Sequence, residues 1–477
     1  MSVFSNSIKS AIIDPVFTST TRCEFRLANR GEAYMPTMRI GNLGLLKTAL
    51  NDNEYHFGPG AASVINRIQL LDGNEELDSL RNVGNWLTFK NSLHTNSQND
   101  NVFTDMVGGS LGWGTGATGE LLSNDNKVVR QGGASTLGTL DLREVFPILN
   151  AVSHLSTSLF PNLRVVVEYH TDVRALVNTQ TTAGVAGVAK SVPILIVDEI
   201  VDEALIQSLD SQFTQAAWVG IEHDQVQVPQ VANITNAGTA GEQSVQVSNL
   251  RVNGFQDKAV SRIMISKVYQ DLGQYLDTPD GGVLQMRAVA QYGSRALHKE
   301  EFNMRLNGRN VLAGRGVTDP ASATMLCADT WGELNICPGM NIESVGMDTK
   351  YTLTANQRQG TAVLPAPGYA VQNWVGSSLT APRILKSGGI PAAGGATWDT
   401  PPTGQQGYFT GNAAWYGLGL HDRVTDLQVQ YTRTGNPSSA GGTSASPGNY
   451  LALDLHLFAE VSKRIDVSGG TWKISYA

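Results

Sequence analysis

Ile68-Gln69-Leu70-Leu71-Asp72-Gly73-Asn74-Glu75-Glu76-Leu77 decides the reading of this chain, because Met304-Arg305-Leu306-Asn307-Gly308-Arg309-Asn310-Val311-Leu312 repeats its pattern in the second half. Each is a run of alternating apolar and polar residues that enters Asp-Gly or Asn-Gly, continues through polar residues and returns to Leu. Asp-Gly and Asn-Gly accept positive φ, which tight turns between twisted strands require, so flanking alternation makes each stretch a β-hairpin signal. Two hairpins this far apart imply one β-domain used twice.

Length agrees with that count. At 477 residues the chain exceeds one ordinary domain and suits two large β-domains. Hydrophobic residues make up 41%, enough for a substantial core, whereas charged residues are only 16%, below the roughly 25% of typical soluble domains. The surface is therefore largely neutral and polar, as suits faces covered by neighbouring subunits. A net charge of -8, with no basic run, argues against direct binding of a phosphate backbone. Residues 1 to 21 contain Lys9 and Asp14 as their only charges before Arg22, so no basic RNA-packaging arm is expected. Cys23, Cys327 and Cys337 are odd in number and lack C-x-x-C spacing, which fits free thiols and excludes a disulfide framework. The N-terminus lacks signal-peptide character and no apolar run is long enough to span a bilayer. The sequon Asn233-Ile234-Thr235 is accordingly read as unused.

Period-two patterns rich in Val, Ile, Thr and aromatics mark strands at 23–27, 38–40, 64–71, 163–169 and 194–200, then at 217–221, 245–252, 284–289, 302–306, 424–431 and 451–459. Helical signals are few. Asp141 suits a cap for a short helix whose Leu142, Val145, Phe146 and Leu149 face inward, with Pro147 awkward beyond the first turn. Long stretches rich in Gly, Ser, Thr and Asn at about 96–138, 174–190, 351–421 and 433–448 read as loops inserted into the strand topology. The polar segment 203–213 reads as the connector. The expected division is an N-terminal arm at 1–21, one domain at 22–206 and a second at 213–477.

Candidate chemistry is sparse. Gly114-Thr115-Gly116-Ala117-Thr118-Gly119 matches G-x-G-x-x-G, but neither a preceding strand nor a following helix is evident to cradle a phosphate. Gly108-Gly109-Ser110-Leu111-Gly112 matches G-x-S-x-G without the alternating βαβ pattern a nucleophile elbow needs. The eight histidines show no ligand spacing, and Glu222-His223-Asp224, the densest cluster, reads as a solvated strand edge. Glycosidase chemistry needs carboxylates flanking one bond, yet Asp198-Glu199, Asp202-Glu203 and Glu300-Glu301 are adjacent pairs whose members point to opposite faces of a strand. Trp113, Trp374, Trp398 and Trp415 sit in the long loops, where they suit protein contacts or sugar stacking. No catalytic, cofactor-binding or metal-ligating residue is assigned, and no cofactor is expected.

The chain resembles the double jelly-roll major capsid proteins of eukaryotic double-stranded DNA viruses, including polinton-like viruses, virophages and relatives of giant viruses. The resemblance rests on Arg22-Cys23-Glu24-Phe25-Arg26-Leu27-Ala28-Asn29-Arg30-Gly31 and on Ser63 to Leu70 leading into the first hairpin. It continues through Leu250 to Val260, Ser294 to Glu301 leading to Asn307-Gly308, Thr330-Trp331-Gly332 and Cys337-Pro338-Gly339. It implies an all-β fold of two tandem eight-stranded jelly rolls with long inserted loops and a few short helices. It further implies a non-enzymatic virion protein whose homotrimers, each a pseudo-hexameric capsomer, tile an icosahedral shell. The implied partners are neighbouring capsomers, penton and minor or cement capsid proteins, with no direct nucleic-acid contact. Contact of residues 1–21 with an inner membrane, of the 472–477 strand with neighbours, and of outer loops with a host surface are further expectations. A carbohydrate-binding jelly-roll module, or a receptor-binding virion protein, is the alternative that the loop tryptophans support. A polysaccharide-active enzyme would rest on the acidic pairs alone.

Overall fold

The computed structural model describes residues 7–44, 54–56, 60–87, 128–130, 138–170, 177–178, 190–229, 245–269, 300–311, 317–318, 415–434, 453–468 and 470–476. The first unit is built from β1 (Ile8–Ile13), β2 (Arg22–Arg26), β3 (Arg39–Leu43), β4 (Ile65–Asp72), β5 (Glu75–Arg81), β6 (Gly138–Asp141), β7 (Leu163–Tyr169) and β8 (Ile194–Ile200). These strands form two antiparallel sheets with spatial orders β1-β8-β3-β6 and β2-β7-β4-β5. Short strands extend both: Ala33–Tyr34 continues the edge of β8 beyond β3, and Phe17–Thr18 pairs with β2.

The second unit repeats the pattern. Its strands are β9 (Gln215–Val228), β10 (Val245–Val252), β11 (Ala259–Tyr269), β12 (Glu300–Leu306), β13 (Arg309–Asn310), β14 (Trp415–Arg423), β15 (Leu427–Thr434) and β16 (Leu453–Ser468). Their orders, β9-β16-β11-β14 and β10-β15-β12-β13, are those of the first unit with eight added to every number. First beside last, third beside sixth, second beside seventh and fourth beside fifth is the jelly-roll order, so the chain is a double jelly roll. A ninth strand, β17 (Thr471–Tyr476), folds back along β16.

Both rolls close around inward-facing apolar residues, such as Phe25, Ile68, Leu70, Val165 and Val197 in the first and Ile263, Met304, Val429, Leu457 and Val461 in the second. The two hairpins occupy equivalent places, β4–β5 and β12–β13, but their turns differ. In the second, Leu306 faces Arg309 and both central residues, Asn307 (φ 50°) and Gly308 (φ 81°), are left-handed, the type I′ pattern. In the first, Asp72 faces Glu75, so the turn is Gly73-Asn74 and not Asp-Gly; positive φ falls on Gly73, at 62°.

Each turn also secures the start of the seventh strand of its roll. Gly73 N donates to Asn162 O at 3.0 Å and Asp72 Oδ1 accepts from Asn162 N at 2.8 Å, just before β7. Asn307 Oδ1 accepts from Thr425 N, Thr425 Oγ1 and Asp426 N at 2.8, 2.7 and 3.0 Å, and its Nδ2 donates to Arg423 O at 2.8 Å, just before β15. Asn307→Ala removes these bonds and places a Cβ-bearing residue without a polar side chain at positive φ. A loss of about 2 kcal/mol is expected, read as a lower urea midpoint with an unchanged slope.

One expectation is corrected. Residues 8–13 are not part of a free arm; β1 is a sheet strand along β8, in register from Ile8 opposite Ile200 to Ile13 opposite Leu195. The uneven burial of Ile8-Lys9-Ser10-Ala11-Ile12-Ile13, with Ile12 67% exposed, explains why alternation did not reveal it. Glu203–Gln212, between β8 and β9, is a helix whose N-cap Asp202 accepts from Ala204 N and Leu205 N. Asp141 caps a single 3₁₀ turn, Leu142–Glu144, followed by the helix Ile148–Ala151 after Pro147, and Leu142, Val145, Phe146 and Leu149 are all buried as the spacing predicts. Strand expectations at 284–289 lie outside the described residues.

Candidate functional site at the seam

The rolls meet where β5 and the helix Ile148–Ala151 of the first pack against β9 of the second, with side chains of β16 reaching Asp78, Asn82 and Trp86. One continuous apolar cluster spans the junction: the first core reaches Trp218, Ile221, Met264, Phe458 and Ile465. Two polar groups are set into this cluster.

The first is ionic. A β-bulge in the hairpin, where Leu70 faces Asp78 but Leu71 faces Glu76, lets the consecutive residues Leu77 and Asp78 both be buried. Asp78 is 1% exposed. Its Oδ2 accepts from Ile148 N at 3.2 Å, capping the short helix, and its Oδ1 accepts from Ser79 N at 3.1 Å. From the other roll, Lys463 Nζ lies 3.6 Å from Asp78 Oδ1 and 2.6 Å from Glu222 Oε1, while Lys258 Nζ lies 3.4 Å from Glu222 Oε2. Gly220 leaves the path for the lysine stem, since a Cβ there would stand 2.6 Å from Lys463 Cδ. Burial pushes the Asp78 carboxyl up to about 6, with the Lys463 ammonium pulling the other way. Burial works against the Lys463 charge too, but Asp78 and Glu222 outweigh it and raise its pKa.

The second group is aromatic and nitrogenous. His223 stacks on His456 with centroids 5.4 Å apart and planes at 21°, and His223 Nε2 is 3.2 Å from His456 Nδ1. Asn82 Nδ2, from the end of β5 and at φ 56°, donates to the same His456 Nδ1 at 2.7 Å, which requires that nitrogen to be unprotonated. Phe458 lies 4.8 Å from His223 and 5.7 Å from Trp86, sealing the pair. Burial lowers all three neighbouring histidines: His223 to about 3, His170 to about 4, and His456 well below the usual range.

Two smaller ties hold the rolls in place. Asp210 of the connector helix accepts from Ser156 Oγ at 2.9 Å and Ser158 Oγ at 2.5 Å and lies 2.8 Å from His154 Nε2, with Ser153 Oγ 2.9 Å from His154 Nδ1. These residue types are those of a hydrolase triad, but His154 is 1% exposed and the carboxylate already takes two further hydroxyls, so the arrangement pins the helix and presents no nucleophile. The C-terminal strand grips its own chain: Trp472 Nε1 donates to Asp72 Oδ2 at 2.9 Å and its ring lies 6.0 Å from Phe160.

The reading of Glu222-His223-Asp224 as a solvated edge is corrected. Glu222 and His223 are seam residues, and Asp224 Oδ2 accepts from Gly254 N at 2.8 Å. Two members of the acidic pairs serve the fold: Asp198 accepts from Ser10 Oγ and Thr37 Oγ1, and Asp202 caps a helix, whereas the side chains of Glu300 and Glu301 lie outside the described residues. Among the described residues, no group of three or more His, Cys, Asp or Glu is placed to hold a metal ion. Cys23 is a free, buried thiol, pushed up to about 11 by burial. The glycine motifs at 108–119, the sequon, Cys327, Cys337, Trp113, Trp374 and Trp398 lie outside the described residues, and Trp415 opens β14. Asp78, Asn82, His456 and Lys463 escaped the sequence reading. The available signal was their position as polar residues within apolar strand patterns.

No protein-family model matches the chain, and no curated protein matches it in sequence. Among solved structures it is similar to the quasi-atomic model of the PBCV-1 virus capsid, with a TM-score of 0.52 at 12% identity over 98% of this chain and 97% of that one. It is also similar to the Sputnik virophage structure from electron cryo-microscopy, with a TM-score of 0.50 at 10% identity over 98% and 88% of the two chains. At these identities the likeness is one of fold, and it runs the length of both rolls.

Proposed function

We propose that this chain is the major capsid protein of an icosahedral double-stranded DNA virus, working in the virion as a structural element and not as an enzyme. The observation that carries the reading is the repetition of one strand order in two rolls joined by a buried, ion-paired seam. Two equivalent barrels held rigidly in one chain let three copies present six, which is the geometry of a pseudo-hexameric homotrimer that can tile a facet. The chain shares this fold with proteins of the PBCV-1 capsid and the Sputnik virophage.

Surface chemistry supports self-association. Ile12, Val16, Phe17 and Val192 of the first roll and Val219 and Val247 of the second are exposed apolar side chains that capsomer contacts would cover. The charge of -8 suits a shell that encloses DNA without gripping it. We take residues 203–212 as the link between the rolls, with penton and minor or cement proteins as further partners and outer loops as the host-facing surface. Native mass spectrometry and negative-stain microscopy of the purified chain test this. Particles of three chains with a hexagonal outline, or larger shells, are expected, and a stable monomer at micromolar concentration would overturn the reading.

A further inference from the structure

We propose that the histidine end of the seam, formed by Asn82, His170, His223 and His456, is an acid-operated latch that holds the two rolls together at neutral pH and loosens them in mild acid.

The geometry carries this. His456 Nδ1 can accept from Asn82 Nδ2, 2.7 Å away, only while it lacks a proton. Protonated, it would oppose one N–H to another. The His223 ring, 5.4 Å off and nearly parallel, would become a second cation against the first. His170 Nε2 is enclosed without a hydrogen-bond partner.

The neighbouring cations and rings add to the cost of protonation. Arg81 from β5 acts on His223, Lys190 acts on His170, and His170 and His223 act on His456, all opposing protonation. The nearby carboxylates are engaged: Asp78 and Glu222 with Lys463, Glu222 also with Lys258, Asp224 with Gly254 N, and Glu460 with Arg262 at 2.6 Å. Among the described residues, none of them is hydrogen-bonded to these three rings.

The sign follows from linkage. The folded values lie below the ordinary 6.5, so the opened state takes up protons that the closed seam refuses. Each such histidine shifts the balance toward opening tenfold for every pH unit below 6.5, until its folded value is reached. At pH 5 that is about 30-fold for each of His223 and His170. Asp78 opposes them. With its folded value raised to about 6, its protonation favours the closed seam, by about tenfold at pH 5. The histidines together outweigh it.

Hydrogen exchange of the full chain at pH 7.5 and 5.0, corrected for intrinsic rates, tests the latch. Peptides covering 80–87, 218–226 and 454–460 should lose protection at least about 30-fold relative to 194–200, and His223→Gln should remove about 30-fold of that loss. Equal change in seam and reference peptides, or an unaltered response in His223→Gln, would overturn the proposal. Asn82→Asp decides the matter independently should His223→Gln fail to fold, because a carboxylate on His456 favours its protonated form and removes that ring's share of the response, so the loss of seam protection toward pH 5 should shrink by about 30-fold. An Asn82→Asp protein that loosens in acid like the parent refutes the latch. Use of the latch by a shell rests on the capsid reading, whereas the exchange experiment reads the isolated chain whatever it assembles into.

Discussion

Lys463→Ala is expected to destabilise the chain by about 3–5 kcal/mol, read as a fall in the urea midpoint at pH 7.5. The size of the effect comes from what is left behind. Asp78 is 1% exposed, and the lysine is the cation that the second roll sends to it. Without that ammonium, Asp78 retains only the Ile148 and Ser79 amides, and an unpaired carboxylate in an apolar junction carries its full desolvation penalty. Glu222 loses its 2.6 Å partner as well and keeps Lys258.

The loss should depend on pH. Removing Lys463 takes away the main influence holding the Asp78 pKa down, so its folded value climbs above about 6. A raised carboxyl contributes stability that is present below its unfolded value and lost as pH rises through its folded value. The gap between variant and parent should therefore narrow from pH 7.5 to pH 5.5. A gap that widens on acidification would show that Asp78 is not the group left stranded. Asp78→Leu with Lys463→Met should recover much of the loss, since replacing both partners removes the stranded charge.

The fold was legible where apolar and β-branched residues cluster between turn signals. Leu163–Tyr169, Ile194–Ile200 and Val245–Val252 are rich in Val, Ile and Leu, and all three begin and end at the predicted bounds. The strands that escaped notice lack such a pattern. Ile8–Ile13 has one face against solvent that carries an isoleucine, and β14 opens within a Gly-rich stretch that reads as loop. The duplicated hairpin was legible as a repeat, but not the shift of its first turn from Asp72-Gly73 to Gly73-Asn74, because register is set by pairing with β5. The seam was illegible for a different reason. Asp78 and Lys463 stand 385 positions apart, and only the packing of two rolls makes them partners. His223 reads locally as one of three polar neighbours; it acquires its chemistry from His456 on an adjacent strand.

Phe458→Ala should uncouple the rolls as well as weaken them. Phe458 is fully buried between Trp86 of the first roll and His223 of the second. Truncating such a ring costs about 3–5 kcal/mol in lost transfer energy and residual cavity. Its location decides how the loss appears. Phe458 belongs to the apolar cluster that runs continuously from the first core across the seam, whereas its near neighbour Val461 is buried outside that cluster. Domains that share a core unfold together, and domains that lose it unfold at their own stabilities. The parent should therefore show one calorimetric transition and Phe458→Ala two. Val461→Ala should lower stability through the second roll while leaving the seam contacts in place, and so keep a single transition. If Phe458→Ala merely lowers one transition whose calorimetric and van't Hoff enthalpies still agree, the rolls are coupled mainly through Lys463, Asp78 and Glu222, and the apolar cluster is incidental to their union. If it splits the transition, the same cavity should also impair trimer formation, because a capsomer that presents six barrels from three chains requires the two barrels of each chain to hold a fixed angle.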